Sequence, residues 1–337
     1  MRKPKNIMLP MSFYENCRLC PRLCRVDRRF QKGLEPPGIC GETDRLRIAY
    51  VGPHFGEEPP ITGTNGSGTV FFSGCSLRCT YCQNRQISHD HLGRTMDLES
   101  LLTHLEEMIL SRRVHNINFV TPDHFFPHVF RLVSSMRARG HDLPFVYNLS
   151  GYQLVEMIRM SGKYADIYLP DFKYADGSLA VRLSKCKEYP SVALAAVSEM
   201  VRQKGFLNSC ETDSAVATKG VLVRHLILPG AIENSINVLT TLFIEFGPGL
   251  PLSLMSQYEP MGEDLDGPLG RRLKDEEFKR VYSHARDLGF RHLFIQFPES
   301  RNGATMSSRS PFVPDFQRAR PFGKRSPKAA HSSVDIE

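Results

Sequence analysis

The stretch Phe71-Phe72-Ser73-Gly74-Cys75-Ser76-Leu77-Arg78-Cys79-Thr80-Tyr81-Cys82-Gln83-Asn84 decides how the rest of the chain is interpreted. It places three cysteines in a Cys-x3-Cys-x2-Cys pattern directly after a short apolar run. Three thiolates on one tight loop can hold three irons of an iron–sulfur cube, and most such clusters take four cysteine ligands. The pattern therefore predicts a four-iron four-sulfur (4Fe-4S) cluster on Cys75, Cys79 and Cys82, with one iron open to another ligand.

Two less specific interpretations of this loop are a zinc site and three buried thiols. Zinc sites usually pair Cys or His at short spacing twice over, and no second pair follows this loop closely. The iron–sulfur cluster is therefore preferred. With Tyr81 directly before its third cysteine, the loop resembles that of the radical S-adenosylmethionine (radical SAM) superfamily. The resemblance implies that S-adenosylmethionine chelates the open iron and is reductively cleaved to a 5′-deoxyadenosyl radical.

The composition is that of an ordinary soluble globular protein. The 337 residues are 41% hydrophobic and 23% charged, which suits one large α/β domain with appendages. The sequence contains no run of about 18 apolar residues, so no membrane span is predicted. Residues 1–10 lack the apolar core of a secretory signal. Seven of the nine cysteines fall in two close clusters, which is typical of metal ligands in a reducing compartment. We therefore expect a cytoplasmic protein with no membrane partner.

The net charge of +7 lies at the two ends of the chain. Residues 1–45 contain ten Lys and Arg against five Asp and Glu, and residues 301–337 contain seven against three. A basic surface for nucleic acid would have to lie in these ends. Since solvated polar termini explain the charge more simply, nucleic acid is not an expected partner.

Residues 1–45 form a cysteine-rich segment. Cys17, Cys20, Cys24 and Cys40 follow one another at spacings x2, x3 and x15, among prolines and glycines that favour tight turns. Because so short a segment buries little apolar surface, a bound metal would supply its stability. Zinc is the first choice of metal, a second iron–sulfur cluster is the next, and free thiols are the third interpretation.

Residues 46–300 alternate short β-branched or aromatic runs with helical patterns. The predicted strands are Leu46–Gly52, Thr69–Ser73, Asn116–Val120, Phe145–Leu149, Ala165–Leu169, Val221–Leu228, Leu252–Ser256 and His292–Phe297. Asp97 is placed to cap the helix that follows it. Strands that alternate with helices indicate a parallel sheet. About six strand–helix units predict an α/β fold, a partial and open β/α barrel, and the radical SAM resemblance implies the same fold.

Two further segments flank this pattern. A Pro- and Gly-rich loop precedes the cysteine strand, and its residues His54, Glu57 and Glu58 either cover the active site or lie on a polar surface. Beyond residue 300, Ser, Arg, Pro and Lys dominate and the apolar periodicity ends. Residues 301–337 are therefore predicted to be a mostly disordered basic tail, in which residues 312–316 can dock locally.

Polar side chains follow the predicted barrel strands at the end where β/α barrels carry their chemistry. Their pattern resembles the activating enzymes of glycyl-radical enzymes, and most closely an uncharacterised branch related to pyruvate formate-lyase activating enzyme. The matching residues are Asn148, Ser150, Gly151, Asp171, Lys173, Arg224, His225, Pro229 and Gly230. The Gly-Gly-Glu-Pro that usually follows the second barrel strand in such enzymes is replaced by Val120-Thr121-Pro122-Asp123.

The resemblance implies roles for five residues at S-adenosylmethionine. Lys173 and His225 are expected near its carboxylate, and Asn148 and Ser150 near its ribose hydroxyls. Tyr81 is expected to cover the adenine. No catalytic side chain is assigned.

The expected function is reductive cleavage of S-adenosylmethionine for hydrogen abstraction, with a reducing electron donor as one partner and a glycyl-radical enzyme as the candidate target. One alternative is a radical SAM enzyme that modifies RNA or a small molecule. The other is a non-catalytic iron–sulfur protein for electron transfer.

Overall fold

The computed structural model describes residues 12–210, 216–261, 267–297 and 313–322, together with the backbone of residues 332–335. The strands are β1 (Arg47–His54), β2 (Ser67–Phe72), β3 (Arg94–Thr95), β4 (Asn116–Val120), β5 (Phe145–Leu149), β6 (Ile167–Pro170), β7 (Gly220–Val221), β8 (Val223–Leu226), β9 (Leu252–Met255), β10 (His292–Gln296) and β11 (Ser332–Asp335). The helices are α1 (Ser12–Glu15), α2 (Pro59–Thr62), α3 (Arg85–Ser88), α4 (Leu98–Arg112), α5 (Phe126–Ala138), α6 (Val155–Ser161), α7 (Gly177–Ser184), α8 (Tyr189–Lys204), α9 (Ile232–Phe246) and α10 (Asp275–Leu288).

The strands form two sheets that continue into each other. One has the order β3-β1-β2-β4-β5-β6-β7 and the other β11-β10-β9-β8. From β2 through β7, and again from β8 through β10, neighbouring strands are parallel. A parallel bridge between Asp171 and Arg224 joins the sheets, and Phe172 N donates to Arg224 O at 2.8 Å. The predicted α/β fold with a partial, open barrel is therefore confirmed.

The central parallel strands are buried along their whole length. Every residue of β2, β4, β5 and β6 is buried, because helices cover the outer face of a parallel sheet and side chains fill the inner face. Helix α4 begins as predicted, since Asp97 Oδ1 accepts from Ser100 N at 2.8 Å. Among the described residues no helix is both long enough and apolar enough to cross a membrane.

The loop that follows strand β1 lies at the end of the barrel opposite the cysteine loop. Strand β1 runs antiparallel to β2, with Ile48 opposite Phe72 and His54 opposite Ser67. The cysteine loop follows Phe72, so the residues after His54 enter at the end of β2 opposite the cysteines. Glu57 reaches the barrel interior from there, because its Oε1 accepts from Asn118 Nδ2 of β4 at 3.0 Å.

The chain beyond residue 300 is described in two pieces. Residues 313–322 pack on the barrel, where the rings of Phe316 and Phe322 each lie 5.3 Å from that of Phe71. This is the local docking that the sequence suggested for part of residues 312–316. Strand β11 pairs antiparallel with β10. The other residues for which the sequence predicts a disordered tail lie outside the described residues.

Candidate active site at the cysteine loop

The cysteine loop borders a cavity of about 220 Å³ at the carboxyl end of β2. Seven residues that the sequence predicted as cluster or cofactor contacts line this cavity: Cys75, Cys79, Tyr81, Cys82, Asn148, Ser150 and Lys173. They come from the loop that follows β2, from the end of β5, and from the loops that follow β5 and β6. The structure therefore brings them together, while the ligand atoms that each one contacts stay a prediction.

The chemistry of the three cysteines fits an iron–sulfur cluster. Burial raises the pKa values of the Cys75 and Cys82 thiols, so thiolates form there only beside a strong positive charge such as that of a metal centre. Ser184 Oγ donates to Cys79 Sγ and Ser88 Oγ to Cys82 Sγ, each at 3.2 Å. Hydrogen bonds to cluster sulfurs are among the factors that set a reduction potential.

The spacing of these side chains bears on the zinc alternative. Among the described residues no group of three or more His, Cys, Asp or Glu side chains is arranged to hold a metal ion. The ligands of one zinc converge on a single ion, whereas the three cysteines of a cube would bind three different irons. The arrangement of the three cysteines is therefore compatible with a cube, and the choice between iron–sulfur and zinc stays a prediction.

A network of charged side chains lies in the cavity beside the cysteines. Arg224 donates to Glu57 Oε2 at 3.1 Å, to Asp171 Oδ1 at 3.0 Å and to Asn148 Oδ1 at 2.6 Å. Lys173 Nζ donates to Asp171 Oδ2 at 2.6 Å. Burial acts to raise the pKa of Asp171, but Lys173 and Arg224 outweigh it and hold that pKa below its usual value. Asp171 is therefore an anion that fixes both cations.

Glu57 and Glu58, the two acidic residues of the loop after β1, also line the cavity. The interpretation that this loop covers the active site therefore fits the structure. Burial raises the pKa of Glu57 to about 7, against the opposing effect of Arg224. Glu58 is buried as well, and its Oε2 has no hydrogen-bond partner. His54 lies at the same cavity.

His225 does not fit its predicted role at the cofactor. It is fully buried, does not line the cavity, and has both ring nitrogens within hydrogen-bond distance of other groups. Nδ1 lies 2.7 Å from Phe172 O and Nε2 lies 2.9 Å from Ser235 Oγ. Burial lowers its pKa to about 4. His225 is thus a neutral residue that ties α9 to the end of β6.

The residues that replace Gly-Gly-Glu-Pro keep one feature of a glycine turn. Thr121 lines the cavity with a φ of 54°, a left-handed conformation that is rare for a β-branched residue. Its N–H donates to Asn148 O at 2.9 Å. Asp123 does not line the cavity, and its Oδ2 accepts from Ser76 Oγ at 2.6 Å. This loop therefore presents no carboxylate to the cavity.

The comparison with protein families agrees with this site. Residues 69–221 match the model of the radical SAM superfamily. The chain contains a radical SAM domain. An uncharacterized protein of Methanocaldococcus jannaschii is 25% identical over 284 residues, which are 82% of this chain and 75% of that protein.

Two solved structures are similar to this chain at lower identity. SuiB of Streptococcus suis bound to S-adenosylmethionine is 11% identical, with a TM-score of 0.45 over 66% of this chain and 48% of SuiB. Methylornithine synthase (PylB) is 14% identical, with a TM-score of 0.44 over 67% of this chain and 63% of that enzyme. The chain thus spans less than two thirds of either structure.

The N-terminal cysteine segment is seated on the radical SAM domain. Arg22 donates to Ser76 O at 2.9 Å and to Leu77 O at 3.2 Å in the cysteine loop. It also donates to Ser184 O at 2.6 Å. Gly74 has a φ of 80°, and a Cβ there would lie 2.6 Å from Cys40 O. A side chain at position 74 would therefore push the segment off the loop.

Within this segment the four cysteines differ in burial. Cys17, Cys20 and Cys40 are buried, whereas Cys24 is half-buried. Arg28 is buried among them, and its Nη1 lies 3.5 Å from Cys17 Sγ. Since no arranged metal-ion site is found in the described part of the chain, metal binding by these four cysteines stays a prediction.

Residues 313–322 cover part of the cavity of the radical SAM domain. Pro314 and Phe322 line it, and Phe322 also packs on His54 with ring centroids 4.2 Å apart. Phe316 N donates to Gln86 Oε1 of α3 at 2.8 Å. The C-terminal segment is thus tied to the helix that follows the cysteine loop.

Proposed function

We propose that the protein is a radical SAM enzyme in which Cys75, Cys79 and Cys82 hold a 4Fe-4S cluster and the adjoining cavity binds S-adenosylmethionine. When bound and reduced, the cluster would supply the electron that splits S-adenosylmethionine into methionine and a 5′-deoxyadenosyl radical, which takes a hydrogen atom from the substrate. The observation that supports this function most is the meeting of all three cysteines with polar residues of the neighbouring barrel strands at one cavity.

The residues of the chain would bind and orient the cofactor. Lys173 lines the cavity, and its ammonium group donates to the carboxylate of Asp171. It can therefore attract the carboxylate of a ligand and keep its contact with Asp171. Tyr81 is buried and its hydroxyl accepts from Tyr174 OH at 3.0 Å, which fixes the ring for contact with a base. Asn148 and Ser150 offer neutral polar groups, which suit ribose hydroxyls.

The cavity favours a small polar substrate over a glycine of a large partner enzyme. Residues 313–322 cover part of it, and its inner wall carries several charged side chains. A glycine in a folded partner would have to displace that cover. Activation of a glycyl-radical enzyme therefore stays a prediction from the sequence resemblance, and a reducing electron donor is needed with either target.

We also propose a cytoplasmic location. None of the nine cysteines forms a disulfide, and a reducing compartment would keep thiols available for iron. Export to an oxidising compartment would place seven clustered thiols at risk of disulfide formation.

Anaerobic reconstitution with iron and sulfide tests the proposed function. The protein should gain the visible absorption of an iron–sulfur cluster and, with a chemical reductant, convert S-adenosylmethionine to 5′-deoxyadenosine. Cys75→Ala, Cys79→Ala and Cys82→Ala should each lose the signal of the reduced cluster in electron paramagnetic resonance and the product. Cys210→Ala, outside both cysteine clusters, is the matched control and should keep both. Full cluster signals in all three variants would overturn the assignment.

A further inference from the structure

The hydroxyl of Ser88 is directed at a cysteine and not at its own helix. A serine inside a helix can donate to the carbonyl oxygen four residues earlier, and Ser134 and Ser198 do so in α5 and α8, at 2.9 and 2.8 Å. Ser88, the last residue of α3, donates instead to Cys82 Sγ at 3.2 Å. Its side chain therefore serves the cysteine loop.

The backbone of α3 fixes the position of Ser88, which is 4% exposed. The helix is bonded to the cysteine loop at both of its ends. Arg85 N donates to Cys82 O at 3.2 Å, and Gly74 N donates to Ile87 O at 2.8 Å. The contact between the Ser88 hydroxyl and the Cys82 sulfur is thus built into the fold.

His89 continues this contact toward the protein surface. Its Nδ1 lies 2.8 Å from Ser88 Oγ, and its side chain is half-buried. A hydroxyl carries one proton, so when Ser88 donates to Cys82 Sγ, the contact with His89 requires a proton on Nδ1. A donor to the hydroxyl oxygen polarises the hydroxyl and strengthens the bond that it donates. The three residues therefore form a relay of two hydrogen bonds that ends at the cysteine loop.

We propose that His89 and Ser88 are positioning residues that make the proposed 4Fe-4S cluster easier to reduce. Reduction adds negative charge that is shared with the cysteine sulfurs, and a hydrogen-bond donor stabilises the more negative state more strongly. The relay would therefore shift the reduction equilibrium toward the state that cleaves S-adenosylmethionine. This inference rests on the proposed function, because it places the cluster at Cys82.

The experiment is a redox titration of the anaerobically reconstituted protein without S-adenosylmethionine, followed by electron paramagnetic resonance of the reduced cluster. It compares wild type with Ser88→Ala and His89→Phe. The matched controls are Ser191→Ala on α8 and His104→Phe on α4, both at exposed positions. Both controls should keep the wild-type midpoint potential.

Ser88→Ala should lower the equilibrium constant for one-electron reduction about tenfold. A hydrogen bond to a charged group contributes about ten- to a hundredfold, and only the part that differs between the two redox states counts. Tenfold corresponds to a shift of about 59 mV to a more negative potential. His89→Phe should act in the same direction by about twofold, because it removes only the strengthening of the Ser88 bond.

The outcomes separate this inference from the proposed function. A wild-type protein that holds no cluster overturns the proposed function, and this inference with it. A wild-type potential in cluster-bearing Ser88→Ala overturns this inference alone. If Ser88→Ala assembles no cluster, His89→Phe decides, because a wild-type potential in that variant shows that the relay does not act on the cluster.

Discussion

Replacing Arg224 with Met tests whether this guanidinium is the electrostatic centre of the cavity. Its side chain is 11% exposed and contacts Glu57 and Asp171, which are 8% and 17% exposed. Removing one partner of a buried ion pair costs about 3–5 kcal/mol of unfolding free energy, because the remaining group is either an uncompensated buried charge or has to take up a proton. Lys173 still holds Asp171 after the change, so Glu57 is the group that loses its cation.

The cost of Arg224→Met should depend on pH. In the folded protein the pKa of Glu57 is about 7 instead of the ordinary 4.5. A raised pKa stabilises the fold fully below the unfolded value, and this contribution is lost as pH rises through the folded value. Without Arg224 that pKa rises further and Glu57 stays protonated. Since the wild-type group is half-ionised on average between pH 6 and pH 8, the cost grows by about 1.4 kcal/mol over this interval.

Urea unfolding of the reconstituted protein at pH 6 and at pH 8 measures both quantities. Arg280→Met is the matched control, because Arg280 pairs with Glu233 on the surface, where both side chains are more than half exposed. That exposed pair contributes about 1 kcal/mol or less, with little change between the two pH values. The reasoning is refuted if Arg224→Met costs no more than Arg280→Met, or if its cost is the same at pH 6 and pH 8.

Two further predictions concern ligand and metal binding. Lys173→Ala should weaken S-adenosylmethionine binding about ten- to a hundredfold in calorimetry while keeping the cluster. Lys279→Ala, at an exposed position, is the control. Equal affinity in the two variants would contradict the placement of the carboxylate of S-adenosylmethionine at Lys173. A protein with all three loop cysteines changed to Ala should retain metal at the N-terminal cysteines. In elemental analysis, about one zinc per chain supports a zinc site there, residual iron and sulfide support a second cluster, and absence of metal rejects both.

Much of the barrel was predictable because its signals are local. A buried parallel strand needs a short apolar run, and the run Asn116–Val120 appears in the structure with the same bounds as in the sequence. A helix start needs one capping side chain, and Asp97 caps α4 as expected. The end of a barrel strand then predicts which polar residues meet. This is why the sequence could predict that Asn148, Ser150 and Lys173 lie close together, as they do at the cavity, while their roles at a cofactor stay a prediction.

The pairings of those polar residues were not predictable from the sequence. His225 follows Arg224 directly, yet Arg224 faces the cavity and His225 faces Phe172 and Ser235. Neighbours on a strand point to opposite faces, and the sequence pattern did not show which of the two faced inward. Ser184 has no local signal at all, because its contact with Cys79 Sγ joins residues 105 positions apart.

The contacts of Arg22 make the two cysteine clusters one structural unit. The sequence suggests that loss of metal from the N-terminal segment would unfold residues 17–45 and leave the barrel intact. Arg22, however, donates to the carbonyls of Ser76 and Leu77 within the cysteine loop and to that of Ser184, whose hydroxyl donates to Cys79 Sγ. Unfolding of the segment would remove these donors, and the carbonyl groups would then have to accept hydrogen bonds from water. A metal at Cys17, Cys20, Cys24 and Cys40, whatever its identity, would therefore stabilise the loop that holds the proposed catalytic cluster as well as its own segment.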